Sequence, residues 1–193
     1  MIFITCIVGI VENGVVYIGG DSAGIDKEHN ITIIAQDKVN RRNGLLIGFS
    51  GQFRASQIVL YSAEIPNPKN HDLTPEQYMC GLLVPEIQKT LKMNGSIKTK
   101  NDQEMMGADF LFGFNGKLFG LQNDFGVIDA LDDHLAIGRG SDYAFGALHV
   151  LFNEDINPEE KLFKALEASE YYNGGVKKPF IVMDEFGTVW ERK

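Results

Sequence analysis

The chain has 193 residues, 44% of them hydrophobic and 23% charged, enough for one domain with its own core. Its formal net charge of -8 argues against nucleic acid and anionic membranes, which need clustered Lys and Arg. Two cysteines far apart (Cys6 and Cys80) and four scattered histidines supply neither a disulfide framework nor a metal-ligand cluster, so no metal or cofactor is expected.

The apolar opening, Met1 to Ile10, lacks a basic flank and is soon interrupted by Glu12-Asn13-Gly14. It therefore reads as a strand rather than a signal peptide or membrane span, and a cytoplasmic protein is expected. Residues 4–11 and 15–20 form the first predicted hairpin, because Asn13-Gly14 suits the positive φ angles of a type I′ turn. Ile7-Val8 and Val15-Val16 put apolar residues on both faces, the pattern of strands buried inside a layered structure. Strands follow at Ile31–Val39 and Leu45–Phe49, around the turn Arg41-Arg42-Asn43-Gly44.

Helical periodicity then takes over at Gln52–Glu64. Thr74-Pro75-Glu76-Gln77 reads as N-cap, first-turn proline and capping-box glutamine of a second helix, which Pro85 should kink. The polar stretch Met93–Glu104 reads as a loop. Ala108–Phe114 and Lys117–Leu121 form a second hairpin around Asn115-Gly116. Leu135–Gly138 is a short strand feeding the turn Gly138-Arg139-Gly140-Ser141 and a helix over Asp142–Leu151. Asn157-Pro158 caps a helix over Lys161–Tyr172, and Pro179–Met183 with Val189–Glu191 closes the chain as a hairpin. Hairpins instead of crossovers argue against a doubly wound sheet. The expected class is α+β, a four-layer αββα sandwich in one domain spanning residues 1–193.

Thr5, Asp21 and Lys38 form the informative constellation. In an antiparallel hairpin the end of the second strand returns beside the start of the first, which brings Asp21 towards Thr5. Lys38 ends an apolar strand, so its ammonium must reach either solvent or a carboxylate. Taken singly, a strand threonine, a turn aspartate and a solvated lysine are ordinary features.

The blocks Thr5-Cys6-Ile7-Val8-Gly9-Ile10, Gly19-Gly20-Asp21, Lys38-Val39, Ile47-Gly48-Phe49-Ser50-Gly51 and Ala136-Ile137-Gly138 resemble, in order, proteasome β-subunits and the bacterial HslV peptidase. The resemblance implies an N-terminal nucleophile hydrolase: a threonine-type endopeptidase with Thr5 as nucleophile once residues 1–4 are removed as a short propeptide. The α-amine of Thr5 would act as general base. Lys38 would favour the alkoxide, Asp21 would hold Lys38, and the backbone N–H of Gly51 would form the oxyanion hole. Unfolded polypeptides would be the substrates, within a homo-oligomeric ring served by an ATP-dependent unfoldase.

The chain departs from the family in three places. Ile4 stands where active subunits usually carry glycine, Arg139 stands where the family has a serine, and only Glu170 approaches its late acidic residue. Ser141 either replaces the missing hydroxyl or caps the following helix. Cys6 is the rival nucleophile, although the next strand residue should face the opposite way. Two alternatives remain open: a catalytically silent structural ring subunit, and a small-molecule amidohydrolase on the same fold.

Overall fold

The computed structural model describes residues 5–26, 28–129 and 131–193; the expected propeptide, residues 1–4, lies outside them. Strands β1 (Ile7–Glu12) and β2 (Val15–Gly20) form the first hairpin, with Asn13 at φ 52° and Gly14 at φ 74°. These are the left-handed conformations that a type I′ turn requires. The same Asn-Gly device joins β5 (Val39–Arg42) to β6 (Leu45–Gly51), and β9 (Ala108–Phe114) to β10 (Lys117–Leu121).

Two five-stranded sheets result, and every pairing in them is antiparallel. The first has the order β12-β1-β2-β13-β14, with β12 at His134–Ile137, β13 at Phe180–Asp184 and β14 at Val189–Arg192. The second has the order β11-β10-β9-β6-β5, with β11 at Val127–Asp129.

Period-two alternation sorts the side chains of β1. Ile7 joins Val16, Ile18, Leu46, Leu111 and Leu118 in the apolar cluster between the sheets. Val8 and Ile10 face the other way and pack with Ala144, Leu148, Leu162 and Leu166 of helices α4 (Ser141–Leu151) and α5 (Pro158–Tyr172). The outer face of the second sheet carries Phe49, Phe110, Phe112 and Phe114. It packs against α1 (Phe53–Tyr61) and the helical run made of α2 (Pro75–Tyr78), a π segment (Met79–Leu83) and α3 (Val84–Met93).

The capping box at Thr74 forms as expected, with Gln77 N donating to Thr74 Oγ1 at 3.2 Å and Thr74 N to Gln77 Oε1 at 3.0 Å. Pro85 does not end this helix. A π segment precedes it, in which Val84 N reaches back to Met79 O, five residues away. That wider turn accommodates a residue with no N–H and a bulky ring.

Several sequence expectations are corrected. Residues 31–39 are not one strand: β4 (Ile31–Ile33), exposed, pairs with the unanticipated, half-buried β3 (Ala23–Ile25), and residues 34–38 cross to β5. Apolar content alone cannot tell an exposed ribbon from a core strand. The expected loop at 93–104 contains a small hairpin, β7 (Lys98–Lys100) with β8 (Gln103–Met105), held by backbone pairing without apolar alternation. β11 was missed for the same reason. Thr5 and Lys38 stand just outside strands instead of within them. Asn157 is an N-cap residue, but it makes no side-chain cap hydrogen bond.

Candidate active site

β1 and β2 set up the site. Ile7 pairs with Gly20, so the chain just before β1 lies against the chain just after β2. Asp21 N donates to Cys6 O at 3.3 Å, and Cys6 N donates to Asp21 Oδ1 at 3.1 Å. The alternation of β1, continued backwards, sends Cys6 towards the helices and Thr5 towards the space between the sheets. Lys38, leading into β5, enters from the opposite sheet.

The Lys38 ammonium donates to Asp21 Oδ1 at 2.8 Å, to Thr5 Oγ1 at 3.0 Å and to the Ala23 carbonyl at 2.6 Å. Three N–H groups thus meet three acceptors. The Asp21 carboxylate is equally full: Oδ1 accepts from Lys38 and Cys6 N, and Oδ2 accepts from Ala23 N at 3.0 Å and Lys177 N at 3.4 Å. The two side chains are 1% and 0% exposed. Burial pulls the Lys38 ammonium below the ordinary lysine range, with Asp21 opposing; burial likewise pushes Asp21 up, with Lys38 and the backbone N–H groups opposing. The arrangement is that of an ion pair, since a proton on Asp21 would have to displace one of four donors.

Thr5 is itself buried, and its carbonyl accepts from Gly140 N at 3.2 Å. Gly138, at φ 92°, lies so close that a side-chain carbon built on it would overlap the Thr5 carbonyl and stand 2.8 Å from Ser50 Oγ. Only glycine fits there. Gly51 ends β6 at φ 118°, where a side-chain carbon would come within 2.6 Å of Ala108 Cα.

Thr5, Asp21 and Lys38 therefore converge, and Gly51 lies at the end of the strand that carries Ser50. Ser141 occupies the first turn of α4, whose N-cap residue is Gly140, and the Gly140 cap makes no side-chain hydrogen bond. Arg139 is exposed at the turn. Glu170 accepts from Lys178 N at 3.3 Å, one residue beyond the segment that donates to Asp21.

The Cys6 thiol packs in the helical cluster, where burial pushes its pKa up to about 12. Such a thiol is neither aimed at the Thr5 site nor ionised at neutral pH.

Two contributors were missed from the sequence. The Ala23 carbonyl is backbone and leaves no side-chain signal. Ser169, fully buried, donates to Gly140 O at 2.7 Å and so ties α5 to the turn that holds Thr5. Its position in the apolar stripe of Leu162, Ala165 and Leu166 was the available clue.

No family model matches the chain, and no curated protein matches its sequence. Solved structures do match it. The BPH of Thiobacillus denitrificans in complex with epoxomicin is 17% identical with a TM-score of 0.75, over 97% of this chain and 99% of that one. HslV from Trypanosoma brucei is 15% identical with a TM-score of 0.66, over 93% and 98%. Anbu, an ancestral beta-subunit from Yersinia bercovieri, is 16% identical with a TM-score of 0.70, over 96% and 86%. At such identities the likeness establishes a shared fold, and it meets the HslV resemblance read from the sequence at that level. Among the described residues, no helix is long and apolar enough to cross a membrane.

Proposed function

We propose that this chain is a threonine-type peptidase with Thr5 as nucleophile, built as a single four-layer αββα domain. The observation that carries the reading is the Lys38 ammonium bonded at once to Thr5 Oγ1 and Asp21 Oδ1. The three apolar clusters, one between the sheets and one beneath each helical layer, support the layered description.

The chemistry requires cleavage of the Ile4–Thr5 bond, which frees the α-amine of Thr5. An α-amine titrates at about 7.7–8.0, and the neighbouring Lys38 cation lowers that value, so a neutral fraction exists near neutral pH. The amine takes the Thr5 hydroxyl proton as Oγ1 forms a bond to the substrate carbonyl carbon. The carbonyl π pair moves onto oxygen, where the Gly51 N–H is the proposed donor. Collapse breaks the C–N bond, the amine's proton passes to the leaving nitrogen, and an ester on Thr5 remains. Water, deprotonated by the same amine, then hydrolyses the ester. Lys38 stabilises the negative charge that develops on Oγ1 as its proton leaves and again as the ester bond breaks and Oγ1 regains a proton from the amine, and Asp21 holds Lys38 in place.

By the same resemblance the chain works in the cytoplasm as a homo-oligomeric ring acting on unfolded polypeptides delivered by an unfoldase. An exposed aromatic group supports contacts between copies: Tyr143 stacks on Tyr172 at 5.3 Å, with Tyr171 edge-on to Tyr172 at 4.9 Å.

N-terminal sequencing and peptide turnover test this reading. The mature chain is expected to begin at Thr5, and Thr5→Ala to abolish turnover. Undiminished turnover in Thr5→Ala would sink it. Arg139, exposed and unable to accept a proton, favours the second reading, a silent ring subunit. That reading predicts a chain retaining residues 1–4 and no turnover even with Thr5 intact.

A further inference from the structure

Beyond Gly138 the space between the sheets widens into a cavity of about 270 Å³. Its walls are Leu111, Ile128, Leu135, Ile137 and Phe145, with Gly138 at the end nearest Thr5. Two polar residues, Asp109 and Gln122, break this apolar lining, and Asp109 is its one carboxylate. It lies opposite Ser50 in the β6–β9 register and two residues before Leu111, so it shares the face directed between the sheets.

Among the described residues, the Asp109 side chain accepts one hydrogen bond, from Asn123 N to Oδ1 at 2.8 Å, and has no cationic partner. Burial pushes its pKa up, the bond from Asn123 N opposes that push, and Asp124 adds to it. A part-buried carboxylate with no counter-charge is costly unless something supplies one. Asp21 by contrast is met by Lys38, Glu12 by Lys161, and Asp184 by three backbone N–H groups; Glu185, buried with the Gly116 N–H as its one donor, shares the lack of a cation but lies away from this cavity.

We propose that this cavity binds a substrate side chain with an aliphatic stem and a cationic tip, a lysine or arginine of the polypeptide. The stem lies along the apolar walls, and the cation meets Asp109. A space of this size is below that of most drug-sized ligand sites and suits one long side chain. The placement rests on the proposed peptidase reading, because Gly138 joins the cavity to the Thr5 backbone. The net charge of -8 favours cationic segments of polypeptide in general.

The test uses n-pentylammonium and 1-pentanol, which share a stem and differ in charge. Methyl NMR on the full-length Thr5→Ala protein follows Ile128, Ile137 and Leu135. Pentylammonium is expected to shift these methyls and pentanol to bind about tenfold or more weakly, with Asp109→Asn removing the difference. The Asn side-chain oxygen can keep the bond from Asn123 N, so the fold is retained. Ile128→Lys, at a partly exposed position on the cavity wall, supplies an internal cation and should abolish pentylammonium binding.

Equal binding of the two probes, or pentylammonium binding unchanged in both variants, overturns the proposal. In the unaltered protein, peptides with lysine should turn over faster than matched norleucine peptides, and Asp109→Asn should erase the preference. Binding without any turnover would overturn the peptidase reading while leaving the cavity's ligand class standing.

Discussion

Lys38 and Asp21 spend their whole bonding capacity on each other, on nearby backbone and, for Lys38, on the Thr5 hydroxyl, so removing one strands its partner. Lys38→Met should destabilise the fold by about 3–5 kcal/mol, because the buried Asp21 carboxylate loses its counter-charge. The double variant Lys38→Met/Asp21→Asn should recover most of that loss. Denaturant midpoints of the three variants check this, and a double variant no more stable than Lys38→Met would contradict a mutually dependent pair. Cys6 is the opposite case, a reactive atom type made inert by its surroundings. Its thiol is pushed up to about 12, whereas Cys80 is exposed. Iodoacetamide at pH 8 on the native protein should therefore modify Cys80 and spare Cys6, read by peptide mass. Rapid modification of Cys6 would reopen its candidacy as nucleophile.

Between elements, α5 is fastened to both flanks of the first sheet. Lys161 is buried against Glu12 at 2.9 Å at one end, and Ser169 holds the Gly140 turn at the other. In the same first turns as Lys161, Glu160 forms a two-pronged pair with Arg192 of β14, which also covers the Phe163 ring at 4.3 Å. The bond from Arg192 holds the Glu160 carboxyl below the usual carboxylate range. A depressed carboxyl stabilises the fold above its unfolded pKa of about 4.3, and that stabilisation is lost as pH falls through the lower folded value. Both groups are partly solvated, so the ionic part is worth about 1 kcal/mol or less. Arg192→Ala should thus be less stable than the parent at pH 7, and the gap should narrow below about pH 4 to the share due to packing on Phe163. Urea midpoints at pH 7 and pH 3 measure it; a gap independent of pH would assign the whole effect to packing.

At the scale of the whole molecule, the two sheets approach closely because glycines replace side chains where they face each other. A side-chain carbon at Gly48 would lie 2.6 Å from Ile7 Cγ2 and 2.8 Å from Ile18 Cγ2, and one at Gly113 would lie 2.5 Å from Val16 Cγ1. Gly48→Val should cost about 1–3 kcal/mol through overpacking, and adding Ile7→Ala should return part of it. A fully additive pair would show that the sheets separate freely to admit the new group. The same close approach brings Lys38, from the second sheet, within reach of Thr5 and Asp21 on the first.

Much of this architecture was legible in the chain. Asn13-Gly14 and Asn115-Gly116 fixed two hairpins, Thr74 to Gln77 marked a helix start, and the spacing of Thr5, Asp21 and Lys38 pointed to the site. Those signals are local, written in φ preferences, capping groups and alternation over a few residues. The two-stranded ribbon of β3 with β4, the edge strand β11 and the small hairpin of residues 98–105 were not legible, because backbone pairing to a neighbour leaves little trace in composition. Nor could the sequence say that Ala23 offers its carbonyl to Lys38, that Ser169 grips Gly140, or that Asp109 stands without a counter-charge in an apolar cavity. Those facts depend on which groups become neighbours after folding, and burial then sets the strength of each charge.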